Sequence, residues 1–234
     1  MEMYIGSYRI VVERTQFSTT ELRQRYDHLA AGWGQVVEKL GYARAYQRLF
    51  QKIKKDGYLN NIPRNNSVIM DSGIGSGDLS LALSKTLGQP LSIDGVDISA
   101  EMLAQASDRL TANGDFVNLH QANVTELPFN SHQYDLVMSA HTLEHLDSPE
   151  SGLVEMVRVA KPNGLLLVIV TKPSLWGRWI QYRWGIQLLG PYMLAAKLHA
   201  LGVTDMRGYL ISSSVWSFRG SAAIIGRIPP STPQ

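Results

Sequence analysis

Two groups of residues in this chain have the types and spacing to do chemistry. The first is Val68-Ile-Met-Asp71-Ser-Gly73-Ile-Gly75-Ser-Gly77-Asp78-Leu-Ser80, a short apolar run closed by an acid and three alternating glycines. Apolar positions Leu79, Ala82, Leu83 and Leu87 then recur at helical spacing. Strand, glycine turn and helix in that order make a cradle. Without Cβ atoms the backbone can turn tightly and approach a ligand, and the helix N-terminus presents unpaired N–H groups. The spacing narrows the ligand. A dinucleotide fingerprint wants Gly or Ala three residues after its second glycine; that position here is Asp78, a carboxylate that would meet a pyrophosphate as a like charge. An acid at the strand end suits a ligand with an ammonium group and no phosphate. Taken alone, the same stretch also reads as an ordinary tight strand–helix turn.

The second group is His141-Thr-Leu-Glu144-His145, directly after the near-continuous apolar run Tyr134 to Ala140. Such a run is the pattern of a central parallel strand, and open α/β sheets place their active sites beyond the carboxyl ends of strands. A histidine there can act as a general base, and His141 and His145 are the candidates. The order His-x-x-Glu-His also occurs as an inverted zinc motif. With no further ligand evident, no metal is expected. The plain alternative for His145 is a helix residue that fixes the loop.

The elements that must position these groups follow from periodicity. Leu91 to Val96 reads as a second strand ending at Asp97, twenty residues past Gly77. A carboxylate at that point can accept both hydroxyls of a ribose. Ser99 is a credible N-cap, and the helix it opens runs through Leu103, Ala106 and Leu110 to a stop at Asn113-Gly114. Asp115 to His120 is a third strand. Helix, Pro-Asn-Gly turn and the buried strand Leu165 to Thr171 form a crossover unit. A helix from Tyr192 to Leu201 and strands at 203–212 and 221–228 complete the sheet. Upstream, Tyr4 to Glu13 reads as an edge strand, and a helix begins at Ser18 or Thr19. A longer helix through Val36, Leu40, Tyr46, Phe50 and Ile53 ends near Gly57.

The glycine stretch looks like the cofactor loop of class I S-adenosylmethionine-dependent methyltransferases. Other segments fit the same family: Arg25-Tyr26-Asp27 with Trp33, then Leu127-Pro128-Phe129. The run Leu143-Glu-His-Leu146 with Arg158-Val-Ala-Lys-Pro-Asn-Gly164 is the most specific match. The resemblance spans about Tyr26 to Ile228. It implies an α/β fold, a doubly wound Rossmann-like seven-stranded sheet, mostly parallel with the last strand antiparallel. It divides the chain into an N-terminal helical cap (1–66), a cofactor-binding core (67–228) and a disordered tail (229–234). Tyr26 would belong to the closing cap. Asp71 and the backbone of Gly73, Gly75 and Gly77 would hold the methionyl part, and Asp97 the ribose. Ile98, Met102, Asn123 and Val124 would hold the adenine, with Ala140 at the mouth. The chain departs from the family at Asn123, where Asp is usual; its side-chain carbonyl can accept the same hydrogen bond without the charge. Ser72 and Ile74 are further departures at positions whose side chains the chemistry does not need.

The activity this implies is methyl transfer from S-adenosylmethionine to an oxygen, nitrogen or carbon nucleophile of a small molecule, as in quinone and natural-product enzymes. Residues 172–190 carry Trp176, Trp179 and Trp184, three of the chain's five tryptophans, interleaved with arginines. That composition suits an apolar or aromatic acceptor, a homodimer contact or attachment to a membrane surface. Two alternatives remain: a protein that binds the same cofactor while catalysing a cyclisation or elimination, and a nicotinamide-dependent oxidoreductase. Asp78 and the lack of a second substrate domain speak against the latter.

Bulk properties set outer bounds. A chain of 234 residues with 44% hydrophobic content suits one α/β domain with embellishments. A net charge of +2 gives no reason to expect a nucleic-acid partner, and the absence of cysteine removes disulfides, thiolate nucleophiles and cysteine zinc sites. There is neither a signal-like N-terminus nor an apolar run of transmembrane length, so a cytoplasmic location is the expectation.

Overall fold

The computed structural model describes residues 2–5, 8–11, 21, 42–63, 67–174, 177–178, 181–182, 185–211 and 220–230. Its centre is a seven-stranded sheet built from β3 (Val68–Ser72), β4 (Ser92–Asp97), β5 (Phe116–Gln121), β6 (Tyr134–Ala140), β7 (Ala160–Thr171), β8 (Thr204–Leu210) and β9 (Ser221–Arg227). The order across the sheet is β5-β4-β3-β6-β7-β9-β8. The first five are mutually parallel, while β9 runs antiparallel to both β7 and β8. This is the doubly wound arrangement the sequence implies. The winding reverses between β3 and β6, the switch point at whose carboxyl ends open α/β sheets bind their ligands.

Burial explains which residues form which strand. Leu136, Val137 and Met138 of β6 and Leu166 to Val170 of β7 are essentially inaccessible, so both strands read as continuous apolar runs covered on both faces. One face is packed by α1 (Tyr42–Lys55), α2 (Asp78–Leu87) and α3 (Ala100–Ala112). The other is packed by α4 (Pro149–Val159) and α5 (Pro191–Ala200). α1 buries Ala45, Tyr46, Leu49, Phe50 and Ile53. Packing of this stripe stabilises the helix far more than the intrinsic propensity of its fourteen residues. Truncating the fully buried Phe50 to Ala would cost about 3–5 kcal/mol.

Local stop signals act as the sequence indicates. Ser99 caps α3 by accepting the Met102 N–H at 3.2 Å. Gly88 ends α2 and Gly202 follows α5, both with positive φ. Two features differ from expectation. In place of one N-terminal strand there are two short ones, β1 (Glu2–Ile5) paired antiparallel with β2 (Tyr8–Val11) apart from the main sheet. And β7 begins five residues earlier than Leu165: Ala160 already pairs with Tyr134, and the Pro-Asn-Gly stretch sits inside the strand as an irregularity with Asn163 at φ +63°. The helix expected from Val36 is described from Tyr42; Tyr26 of the expected cap helix and Trp33 after it lie outside the described residues, as do Trp176, Trp179, Trp184 and residues 231–234.

Candidate active site

The glycine turn after β3 is held from the β4 side. Gly73 and Ile74 donate their N–H groups to Val96 O at 2.8 and 2.9 Å, and Gly75 N–H donates to Asp97 Oδ2 at 2.9 Å. Asp97 Oδ1 accepts the Ser99 N–H at 3.0 Å, so one carboxylate ties the turn to the start of α3. Gly73, Gly75 and Gly77 all have positive φ, and they differ in what surrounds them. A Cβ on Gly73 would collide with Thr142 at 2.1 Å, and one on Gly77 would press on Leu110 at 3.2 Å. Among the described residues, a Cβ on Gly75 would meet nothing within 4 Å. The first and third glycines therefore serve packing, while the second faces open space.

Asp71, at the end of β3, is 1% exposed. Its Oδ2 accepts the Ser80 hydroxyl at 2.6 Å, and its Oδ1 is buried with no hydrogen bond among the described residues. Burial, reinforced by the nearby Asp97 carboxylate and offset by the Ser80 bond, pushes its pKa up to about 7. A buried carboxylate oxygen without a partner, beside a backbone turn open at Gly75, fits a ligand that brings its own cation.

Asp78 takes a different part from the one its position suggests. Its Oδ2 accepts the Ser76 hydroxyl at 2.8 Å, and its Oδ1 pairs with Arg109 Nη2 at 2.7 Å. Arg109 Nη1 also donates to Ser76 O at 2.7 Å. The acid is neutralised by an arginine thirty-one residues away and ties α2 to α3; it does not stand as a bare charge toward the ligand space. The like-charge argument against a pyrophosphate thus loses its physical basis.

The other predicted contacts are arranged along the rims of β4, β5 and β6. Ile98 is half-buried, whereas Met102 is fully buried. Ala122 N–H bonds Asp97 O at 3.1 Å, which brings the 122–129 loop against the end of β4. Asn123 is exposed and its Oδ1 accepts the Thr125 N–H at 3.0 Å, a turn-forming role that leaves a second lone pair. Val124 is buried. Ala140 closes β6, and the Thr142 hydroxyl just beyond it lies 3.2 Å from Ala140 O and 3.3 Å from Gly73 O.

On the β6–β7 side, His141 stands at φ +58° with its N–H on Ile169 O. Its Nδ1 is 3.3 Å from Thr171 Oγ1 and 3.4 Å from Glu144 Oε1. Glu144 is 1% exposed; it accepts the Thr171 N–H and, at 3.0 Å, the Thr171 hydroxyl. His145 ends the single 3-10 turn Leu143–His145, and burial drives its pKa down to about 4, so its ring is neutral near pH 7. The Tyr42 ring meets the His141 ring edge-on at 6.1 Å, and burial followed by the Glu144 charge pushes the Tyr42 pKa up to about 12. Among the described residues no group of three His, Asp or Glu is arranged to hold a metal. Residues that the sequence did not single out complete the site: Tyr42 from α1, Thr171 from β7, and Gln187, whose N–H bonds Glu144 O at 2.8 Å and whose side chain bonds Leu146 O at 2.7 Å.

A doubly wound seven-stranded sheet with an antiparallel strand inserted beside its far edge, and a glycine turn flanked by acids at the first two strand ends, is the architecture of a class I methyltransferase domain. Residues 70–168 match the family described as "Methyltransferase domain", and the chain carries such a domain, of the class whose cofactor is S-adenosylmethionine. The chain is 37% identical over 110 residues to a ubiquinone/menaquinone biosynthesis C-methyltransferase of Vibrio parahaemolyticus, covering 46% of this chain and 42% of that protein. It is 30% identical over 155 residues to a 2-phytyl-1,4-naphtoquinone methyltransferase of Trichormus variabilis, covering 64% of this chain and 65% of that one. The first of these alignments thus spans less than half the length of its relative. Among solved structures, magnesium protoporphyrin IX methyltransferase from Synechocystis superposes with a TM-score of 0.70 at 18% identity, covering 90% of this chain and 99% of the other. A [4+2]-cyclase superposes at 0.68 and 18% identity, covering 92% and 98%. These two likenesses establish the fold alone. No helix among the described residues is long and apolar enough to cross a membrane.

Proposed function

We propose that this protein binds S-adenosylmethionine in the crevice at the β3–β6 switch point and transfers its methyl group to a quinone-type or related small aromatic molecule. The observation that carries the cofactor assignment is the buried Asp71 Oδ1, which has no partner among the described residues and lies beside the turn at Gly75. An ammonium group placed there would complete the hydrogen bonding of Asp71 and restore its ionised form. Asp97 would accept the ribose hydroxyls. Ile98, Asn123 and Val124 would line the adenine, with Met102 as support beneath. The cofactor supplies an electrophilic methyl group on a sulfonium; the protein's share is to hold it in line with the acceptor and exclude water. His141 and His145, in the turn that follows β6, would face the acceptor. The quinone-type acceptor rests on what the relatives are named for, and it agrees with the Tyr42 ring beside His141.

Calorimetric titration with S-adenosylmethionine and S-adenosylhomocysteine tests the cofactor reading. Wild type should bind, and Asp97→Ala should bind roughly ten- to a hundredfold more weakly, the loss expected for charge-assisted hydrogen bonds. Equal binding by both proteins would refute the assignment of Asp97. Production of S-adenosylhomocysteine with demethylmenaquinol-type acceptors would separate methyl transfer from a cyclisation that leaves the cofactor intact.

A further inference from the structure

The hydrogen bonds around His141 determine which of its ring nitrogens carries the proton. A neutral imidazole has one N–H, and the partner of one nitrogen decides the state of the other. Nδ1 faces the Glu144 Oε1 and the Thr171 Oγ1, at 3.4 and 3.3 Å. The Thr171 hydroxyl donates its only proton to Glu144 Oε2 at 3.0 Å, so toward Nδ1 it can only accept. The carboxylate likewise only accepts. Both neighbours therefore require Nδ1–H, which leaves the lone pair on Nε2. That nitrogen is buried and makes no hydrogen bond among the described residues.

The backbone supports the same conclusion. His141 sits in the left-handed region at φ +58°, a conformation that costs a non-glycine residue about 1 kcal/mol or more and persists only where neighbours hold it. Here the holders are identifiable: the His141 N–H on Ile169 O, the Thr142 hydroxyl near Gly73 O, and the Gln187 N–H on Glu144 O. The whole turn is fastened from three sides with the ring aimed by its Nδ1.

We propose that His141 accepts a proton from the acceptor molecule through Nε2, and that Glu144 and Thr171 are the positioning residues that set its tautomer and orientation. The proposal rests on the methyl-transfer reading above. In this step the O–H or N–H bond of the acceptor breaks, its electron pair stays on the oxygen or nitrogen, and the proton forms the second N–H of an imidazolium. The fixed carboxylate of Glu144 offsets the new charge. His145 is unsuited to the task, since burial leaves its ring a weak base.

The test reads the tautomer directly, on the full chain, by NMR of histidine labelled at both ring nitrogens, with the His141 signals assigned by their loss in His141→Gln. Wild type should show Nδ1–H and a bare Nε2, with or without S-adenosylhomocysteine. Glu144→Gln should move His141 from a minor to a major share of the Nε2–H form, and Thr171→Val, which leaves the Glu144 carboxylate facing Nδ1, should raise that share by a smaller, measurable amount. In Thr171→Val the signals of His145 and the affinity for S-adenosylhomocysteine should stay unchanged, and Thr171→Ser should restore the wild-type pattern. Thr171→Val keeps the bond from its backbone N–H to Glu144, so it remains informative if Glu144→Gln fails to fold. An Nε2–H tautomer in the wild type, or variants that leave the tautomer as it was, would overturn the positioning role. Absence of S-adenosylhomocysteine binding by a wild type with the expected tautomer would instead overturn the methyl-transfer reading.

Discussion

Asp71 and Glu144 are both carboxylates just at the carboxyl edge of the sheet, both 1% exposed, and the protein surrounds them in opposite ways. Glu144 is fully provided for: Thr171 gives it a backbone N–H and a hydroxyl, and His141 lies within 3.4 Å. Asp71 receives one hydroxyl and keeps one buried oxygen without a bond among the described residues. A completed carboxylate holds another side chain in place. An incomplete one raises the energy of the site until something arrives to complete it. The glycine-turn half of the crevice is thus built to receive a ligand, and the β6–β7 half to hold a side chain ready.

The largest expected effect that would break this contrast is on stability. Glu144→Ala removes the acceptor of two buried donors, and each stranded donor costs about 1–3 kcal/mol. The urea midpoint should fall accordingly. Asp71→Asn, which removes a charge the interior disfavours, should leave the midpoint at pH 8 no lower than in wild type while weakening S-adenosylhomocysteine binding. Comparable destabilisation by both substitutions would mean the two acids are equivalent structural groups.

The two halves should also respond to pH with opposite sign. The Asp71 pKa is raised in the fold to about 7, so the folded protein holds an extra proton between about pH 4 and 7, and that contribution to stability is lost as pH rises through this window. The His145 pKa is lowered to about 4, so the unfolded chain holds the extra proton between about pH 4 and 6.5, and stability is lost as pH falls through that window. In wild type the slopes offset. His145→Gln should unmask a decline of stability with rising pH and Asp71→Asn a rise, each of at most about 1.4 kcal/mol per pH unit. Denaturant unfolding at several pH values reads both; slopes of the same sign would show that these groups do not titrate as described.

The smallest effect sharpens the contrast within one turn. Gly75→Ala should keep the fold, at a backbone cost of about 1 kcal/mol for its positive φ, and yet hinder ligand approach. Gly73→Ala adds a collision with Thr142 and should lower the melting temperature further. A Gly75→Ala protein that binds S-adenosylhomocysteine as wild type does would show that the open space is not the ligand's.

The sheet and the glycine turn were legible in the sequence because their signals are local. Alternating glycines, an acid at a strand end and apolar runs of strand length lie within a dozen residues of one another. What was not legible depends on partners far apart in the chain. Asp78 looked like a free charge because Arg109 comes thirty-one positions later. Glu144 reads in the sequence as part of the Leu143–Leu146 run and of a metal-motif order, not as an anchor for His141, because Thr171, which occupies both its oxygens, comes twenty-seven positions later. Tyr42 was missed because its contact with His141 joins a helix that precedes the domain's first sheet strand to the end of the fourth.

Gln187 stitches the segment that follows β7 onto the turn carrying His141 and Glu144, by one backbone and two side-chain bonds. Anyone who grafts a different 172–190 segment onto this core to change which molecule enters will also exchange that fastening. Altered selectivity and altered reactivity should then arrive together, and a graft that retains glutamine at this position is the one that should separate them.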